Sequence, residues 1–421
     1  MKILHINCAD YGSTGKIIDA ITYYASKYGD NSFLCCANKK AEHNNGLEVI
    51  RTSYNHQAGL IKRLISPFGI RYGFSPYSTH KIIRKINELK PDIIHIHSVN
   101  RYMVNLYRLL DFIGRKKIPT IITNHAEFFY TGNCAHAFDC DRWKTGCGKC
   151  PNLYLATGSI LFDCTHYSWK RMYKSLHNAD HTIMVSVSPW VSARAERSPI
   201  CEKNKKFVIL NGIDTDTFTF FRNNFETRKA LGISNEKKVL IYVTANFSNS
   251  DTDIKGGKYI LELADKLKNS NIIFVVVGPC NINFEIPSNI KLIGTVYDQN
   301  YLSKLYSMAD LTVITSRRET YSMPVAESLC CGTPVVGFEA GGPESIAIEE
   351  YSQFIEYGNV EKMKNVILEW LNKKQTLNCE LISETAKTIY DATTMASQYY
   401  ELYKYAIERE YAYENRNTDI S

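Results

Sequence analysis

Two glutamates, a glycine-rich turn and a group of cysteines are the residues of this 421-residue chain whose types and spacing could do chemistry. The glutamates lie in Ser316-Arg317-Arg318-Glu319-Thr320-Tyr321-Ser322-Met323-Pro324-Val325-Ala326-Glu327. Carboxylates accept paired hydrogen bonds from vicinal hydroxyls, so Glu319 and Glu327 at this spacing suit a sugar-bearing ligand. The turn is Gly12-Ser13-Thr14-Gly15-Lys16, which follows an apolar run and opens a helical pattern. Glycine lets backbone approach a ligand, and a helix N-terminus offers free N–H groups to phosphate. It is not a P-loop, because Asp10 stands where that motif's first glycine belongs and Ile17 where its Ser or Thr belongs. Taken alone it reads as a tight turn as readily as an anion site.

Cys134, Cys140, Cys147 and Cys150 fall within seventeen residues, spaced C-x5-C-x6-C-x2-C and ending in Gly146-Cys147-Gly148-Lys149-Cys150-Pro151. Four thiolates, two of them on a glycine-bearing C-x2-C turn, suit a closed structural Zn2+ site. A redox pair lacks the thioredoxin-like context, an iron–sulfur cluster uses the same ligands, and buried free cysteines are the plain alternative.

These residues must be positioned by the elements around them. Short apolar, β-branched runs at 2–7, 32–36, 92–97, 120–123 and 181–187 alternate with helical patterns at 16–28 and 81–89. A second series has runs at 239–244, 272–277, 311–314 and 334–337, with helices at 258–268, 301–308 and 361–372. Such alternation predicts α/β architecture with parallel sheets. The reading is two doubly wound, Rossmann-like domains facing a central cleft, 1–200 and 201–393, with the break near Ser198–Asn211, where Pro199 and a basic, polar stretch interrupt the pattern. A tyrosine-rich helix at 394–415 packs back on the first, its tyrosines filling core. Ligands of such sheets bind at the carboxyl ends of the strands. Glu319 then belongs to the loop leaving strand 311–314, Pro324 to a first helical turn, and Glu327 to the helix itself.

The flanks of the glutamate pair resemble family 4 of the retaining glycosyltransferases, which have the GT-B fold. Glu319 and Glu327 match that family's E-x7-E motif. Gly294-Thr295-Val296, Leu305-Tyr306, Ala309-Asp310, Cys331-Gly332-Thr333-Pro334-Val335-Val336, Gly341-Gly342, Lys255-Gly256 and Asn211-Gly212-Ile213-Asp214 are similar too. The resemblance covers nearly the whole chain and is specific in 205–350.

It implies a retaining hexosyltransferase of bacterial polysaccharide biosynthesis that needs no cofactor for catalysis. Its partners are a nucleotide-diphosphate sugar donor and a glycan or lipid-linked acceptor. Glu319 corresponds to the residue on the donor sugar hydroxyls, Glu327 to the one on the ribose, and Lys255 to the one on the diphosphate. Gly12 and Gly15 correspond to the glycine loop on the opposite wall, and His125 to a histidine near the reacting carbon. The chain departs from the family in two places. No basic residue lies between Lys238 and Lys255, where a second phosphate cation is usual, and Arg317 or Arg318 could substitute for it. Thr320 and Ser322 replace glycines after Glu319, stiffening the loop and adding hydroxyls that could contact the donor. A degraded donor site on a sugar-binding or scaffold subunit is the rival reading, and the missing cation is what favours it. A phosphorylase of this architecture normally holds pyridoxal phosphate, for which there is no motif.

Composition bounds the rest. With 22% charged and 44% hydrophobic residues the chain is neither disordered nor coiled coil. No apolar run reaches the ~18–20 residues of a membrane span, and the first residues do not form a signal peptide. Thirteen cysteines then indicate a reducing cytoplasm. The net charge of +7 arises wholly in residues 1–90, which carry thirteen Lys and Arg against six Asp and Glu. There Lys62, Arg63, Arg71, Lys81, Arg84, Lys85 and Lys90 are interleaved with Leu60, Ile61, Leu64, Ile65, Phe68, Ile70, Tyr72 and Phe74. Peripheral docking on an anionic inner membrane fits this pattern, as does a charged surface over core-facing apolar anchors. No nucleic-acid-binding module is present.

Overall fold

The computed structural model describes residues 1–38, 46–52, 66–99, 102–280 and 284–418. The chain divides into two compact units, one of Met1–Leu210 with Thr393–Ser421, the other of Asn211–Ala392.

The first unit is built on a seven-stranded sheet in the order β3-β2-β1-β4-β5-β6-β7. Its strands are β1 (Lys2–Ala9), β2 (Asn31–Asn38), β3 (Glu48–Arg51), β4 (Ile93–Ile96), β5 (Thr120–Asn124), β6 (Ile183–Ser186) and β7 (Lys205–Val208). All pair in parallel. Helices such as Gly12–Ser26, Pro76–Leu89 and Leu106–Lys116 supply the crossovers. β7 lies in the stretch whose basic, polar character reads in sequence as a domain break. It is instead an edge strand, so the boundary falls at Leu210/Asn211 rather than at 200/201.

The second unit repeats the plan with six parallel strands in the order β10-β9-β8-β11-β12-β13. They are β8 (Lys238–Val243), β9 (Ile272–Val277), β10 (Ile290–Gly294), β11 (Leu311–Ile314), β12 (Val335–Phe338) and β13 (Ser352–Ile355). In each sheet the order reverses beside the first strand, between β1 and β4 and between β8 and β11. That is the switch point at which ligands of doubly wound sheets bind.

The cores follow from the sequence. Phe274, Val276, Leu240 and Val313 pack with Ile260, Leu263, Ile367 and Trp370 of the covering helices. Each fully buried aliphatic side chain contributes roughly 1.5–3 kcal/mol. In the first unit the final helix, Ala392–Thr418, lays Met395, Ala396, Tyr399, Tyr403 and Ala406 on Ile3, Ile93, Ile121 and Ile183. Those helix positions recur at three- and four-residue spacing, one face of an α-helix. Tyr399 and Tyr403 are core, Tyr405 is partly exposed, and the side chains at 411 and 413 lie outside the described residues. Gly212 and Ala392 are in close contact: a Cβ on Gly212 would lie 2.5 Å from the Ala392 Cα, so glycine is sterically required at 212. Among the described residues no helix is long and apolar enough to cross a membrane.

Candidate functional site

In the second unit the loop after β8 and the loop after β11 meet at the switch point. The Arg317 N–H donates to the Ile254 carbonyl at 2.8 Å, fastening one loop to the other. The Lys255 carbonyl accepts from Tyr242 Oη at 2.8 Å and Thr315 Oγ1 at 3.0 Å, while the Lys255 N–H donates to Asp253 Oδ1. Gly256 has φ +76°, and a Cβ there would lie 2.2 Å from the Thr315 carbonyl oxygen, so only glycine permits the approach. The Lys255 side chain, about a third exposed, reaches Glu319 with Nζ 3.1 Å from Oε1. Ser316 Oγ donates to the same oxygen. The Glu319 backbone is held against the turn after β12, donating to Ala340 and accepting from Gly342.

Glu327 lies where expected, inside the helix Met323–Cys330 that Pro324 opens. Tyr306 Oη donates to Glu327 Oε2 at 3.0 Å. Burial, and then the Glu327 charge, holds Tyr306 well above its ordinary pKa and therefore protonated. Thr320 is buried. Ser322 is buried as well, adopts φ +111°, and leaves its Oγ without a hydrogen-bond partner. The position that the resemblance gives to glycine thus keeps a glycine-like backbone and adds an unsatisfied hydroxyl. Arg317 is exposed and Arg318 half-buried.

In the first unit the glycine turn follows β1. Gly12 has φ +79° and opens the helix Gly12–Ser26, and a Cβ on Gly15 would lie 2.8 Å from the Asp10 carbonyl. Asn7 holds the turn, its Nδ2 donating to Thr14 Oγ1 and the Ala9 carbonyl. No acidic side chain lies in the first helical turn, where the positive end of the helix dipole favours an anion.

His125 follows β5 and ends a chain of histidines that sequence reasoning missed. His5 Nδ1 lies 3.1 Å from His97 Nε2, and His97 Nδ1 lies 3.2 Å from His125 Nε2. His95, beside them, bonds Tyr403 Oη at 2.6 Å and Thr123 Oγ1 at 2.7 Å. Burial pulls His125 down to about 4 and His5 to about 3, and holds His95 and His97 well below the usual range, so all four are neutral. His5 Nε2 is buried without a partner. A stranded N–H is costlier than a stranded lone pair, which places the protons on Nδ1 of His5 and His97, each donating toward His125. The signal was legible: His95 of β4 stands opposite His5 of β1, and His97 follows two residues on, just past the end of the strand.

The four cysteines sit in the segment between β5 and the helix Thr165–Asn178, and all are free thiols, partly buried. Cys140, Cys147 and Cys150 lie near enough to Cys134 for each to raise its pKa, although burial raises it most. Among the described residues only His5, His95 and His97 bring three ligand atoms within 4.8 Å of one another. Glu127, fully buried and also unforeseen, ties this segment down. Its backbone N–H donates to Ala135, and its Oε1 accepts from the Ala137 N–H at 3.1 Å. Its Oε2 pairs with Arg194 at 2.8 Å.

Of the residues singled out in sequence, Lys255, Glu319, Glu327, Thr320 and Ser322 belong to the second unit. Gly12, Gly15, His125 and the cysteines belong to the first. Arg71, Lys81, Arg84, Lys85 and Lys90 are described, whereas Leu60, Ile61, Lys62, Arg63, Leu64 and Ile65 lie outside the described residues.

Comparison with known proteins bears on the family and the fold. Residues 223–388 match the family Glycosyl transferases group 1, and residues 30–217 match Glycosyltransferase Family 4. A putative colanic acid biosynthesis glycosyl transferase, WcaC of Escherichia coli K12, is 21% identical over 75% of this chain and 76% of its own. N-acetyl-alpha-D-glucosaminyl L-malate synthase of Bacillus anthracis is 25% identical over 49% of this chain and 56% of its own. Among solved structures, sucrose-phosphate synthase from Thermosynechococcus elongatus superposes with a TM-score of 0.70 at 16% identity, covering 97% of this chain and all of that one. HepE from Anabaena, solved in complex with UDP, gives 0.65 at 14% identity over 96% of this chain and 99% of its own. At such identities the structural likeness speaks for the fold alone, which is GT-B.

Proposed function

The chain belongs to the family 4 glycosyltransferases, and from that premise we propose that it moves a hexosyl group from a nucleotide-diphosphate sugar to a hydroxyl of a glycan or lipid-linked acceptor. The observation that carries the proposal is the pairing of Lys255 with Glu319 at the β8/β11 switch point, with Glu327 on the helix just beyond. Glu319 orients the sugar hydroxyls, Glu327 accepts from the ribose, and Lys255 meets the negative charge that grows on the departing diphosphate. A preorganised cation at a developing anion is the strongest single device available to such a site. Gly12 and Gly15, through backbone N–H groups at the start of the helix Gly12–Ser26, suit a phosphate as well. The acceptor hydroxyl loses its proton to the departing phosphate oxygen as the new bond forms on the face the diphosphate leaves, so configuration is retained. Glu319 is then a positioning residue and not the nucleophile of a glycosidase pair. The resemblance assigns this step no metal.

The likeness to WcaC, a putative colanic acid biosynthesis glycosyl transferase, supports a place in cell-surface polysaccharide assembly; we infer that the chain works on the cytoplasmic side of the membrane, where a lipid-linked acceptor is presented. Docking there is peripheral, through the basic and apolar surface of the first unit.

The test is incubation of the full chain with a panel of nucleotide sugars, following donor hydrolysis and the thermal shift each donor causes. One donor should be hydrolysed slowly and stabilise the protein, and Glu319→Ala should lose both effects. No turnover or shift with any donor, together with wild-type behaviour of Glu319→Ala in cells, favours the scaffold reading.

A further inference from the structure

The segment from Gly132 to Cys164 is long for a connection inside an α/β unit. Its regular structure is limited to the short helices Arg142–Lys144 and Leu153–Thr157. Structureless stretches of this length need a purpose or a staple. Part of the staple is the buried Glu127–Arg194 pair, and another part is Trp143, 1% exposed, with its Nε1 donating to the Cys140 carbonyl at 2.8 Å. Neither explains the turn that carries the last two cysteines. Four successive residues there have positive φ: Gly146 at 128°, Cys147 at 54°, Gly148 at 98° and Lys149 at 49°. For Cys147 and Lys149, which are not glycine, the left-handed region costs about 1–2 kcal/mol each. Such strain persists where something over-determines the backbone, commonly at a functional site.

We propose that Cys134, Cys140, Cys147 and Cys150 bind one structural Zn2+ as a closed tetrathiolate. The backbone at each ligand is already fixed. The Cys134 carbonyl accepts from Thr131 Oγ1 at 2.9 Å, and Cys140 holds Trp143. The Cys147 N–H donates to the Arg142 carbonyl at 2.9 Å, and the Cys150 N–H to Asp163 Oδ2 at 2.6 Å. Arg142 in turn reaches back from its guanidinium to the Gly148 carbonyl at 2.9 Å. These partners are the supporting shell that orients metal ligands. A zinc ion, with Zn–S bonds of about 2.3 Å, supplies the attraction that draws four thiolates together and offsets the strained turn.

The histidine group does not compete for the ion. His95 spends both ring nitrogens on Tyr403 and Thr123, and His97 spends both on His5 and His125. The assignment does not depend on the activity proposed above.

The experiment is elemental analysis of tag-free, full-length protein purified from the cytosol without added metal. It is followed by titration with an organomercurial that displaces zinc into a chromophoric chelator. About one zinc per chain should be found and released as four thiolates are titrated. Cys134→Ser and Cys147→Ser should carry less than about a tenth of that, while Cys164→Ser, outside the set, keeps it. Because a ligand variant can fail to fold, the wild-type measurement decides. Folded wild-type protein without zinc, an iron chromophore, or a disulfide joining any two of the four cysteines overturns the proposal.

Discussion

Lys255 and Glu319, on different loops, form an ion pair with Nζ 3.1 Å from Oε1, and Ser316 donates to that same carboxylate oxygen. The ammonium is therefore held in place before any phosphate arrives, and the carboxylate keeps its second oxygen for a ligand. Removing the cation leaves the departing charge unmet. Lys255→Ala should lower kcat/KM by about 10²–10³-fold, the scale of losing one preorganised donor at a developing anion. The double variant with Glu319→Ala should lose far less than the product of the two single effects, since the groups act as one unit. Steady-state kinetics on the donor found in the panel checks both numbers, and strict additivity would show that the pair is incidental.

Ser322 offers a test in the opposite direction. Its φ of +111° and its buried, partnerless Oγ are both unfavourable in the free protein. Ser322→Gly relieves the left-handed strain and removes the stranded hydroxyl, against the entropy that glycine adds to the unfolded chain. The net expectation is a gain of about 1 kcal/mol in stability, read by chemical denaturation. If the hydroxyl exists to meet the donor, the same change should shrink the thermal shift that the donor causes. A variant that is less stable than wild type would mean that the serine is satisfied in solution.

How far the sequence carried these expectations follows from where each element sits. Interior strands such as Ile272–Val277 announce themselves, because a strand covered on both faces must be continuously apolar. The four strands that sequence reading missed are β3, β7, β10 and β13, the two edges of each sheet. Edge strands are covered less and can carry lysine and glutamate, as Lys205–Val208 and Glu48–Arg51 do, so their apolar signal fades into loop. The site divides in the same way. Glu319, Glu327 and Lys255 stand in motifs that a linear pattern preserves. Ser316 and Tyr306 stand in those motifs too, but their contacts with Glu319 and Glu327, like the pairing of Arg194 with Glu127, appear only in the fold.

The buried histidines make stability depend on acid. His5 is pulled down to about 3 and His125 to about 4 by burial, whereas both titrate near 6.5 in an unfolded chain. The unfolded state therefore binds more protons than the folded one below about pH 6.5. Their neutral burial is fully compatible with folding above that pH, and stability is lost as pH falls from there toward the folded values. Each such histidine contributes a slope of about 1.4 kcal/mol per pH unit in that window. Denaturation midpoints measured between pH 7 and 4.5 should fall steeply. His5→Gln, which leaves Lys255 and both glutamates untouched, should flatten the slope by close to one proton. A flat profile in the wild type would mean that the histidines are reached by water or already charged.

The surface proposed to meet the membrane can be tested residue by residue, although Lys62 and Arg63 lie outside the described residues. Ile160 is 77% exposed, Leu161 66% and Phe162 50%, an unusual concentration for a loop of a folded unit. Phe162 stacks on Phe68, centroids 5.3 Å apart and planes 9° from parallel, which places the segment at 66–68 beside it. Arg71 lies against Gly158 at the foot of the same loop. Arg84 and Lys85, by contrast, share Glu88 in exposed ion pairs, so their charge is partly cancelled at source. Insertion of the three apolar side chains into a bilayer interface gains at most roughly 1.5–3 kcal/mol each, and a nearby arginine adds about 1 kcal/mol on an anionic leaflet. Ile160→Glu with Leu161→Glu should therefore reduce co-flotation with phosphatidylglycerol vesicles more than tenfold, without changing donor hydrolysis. Arg71→Glu should weaken binding to those vesicles but not to phosphatidylcholine ones. Flotation that is unaffected by the loop substitutions would remove this surface from the account of how the enzyme meets its acceptor.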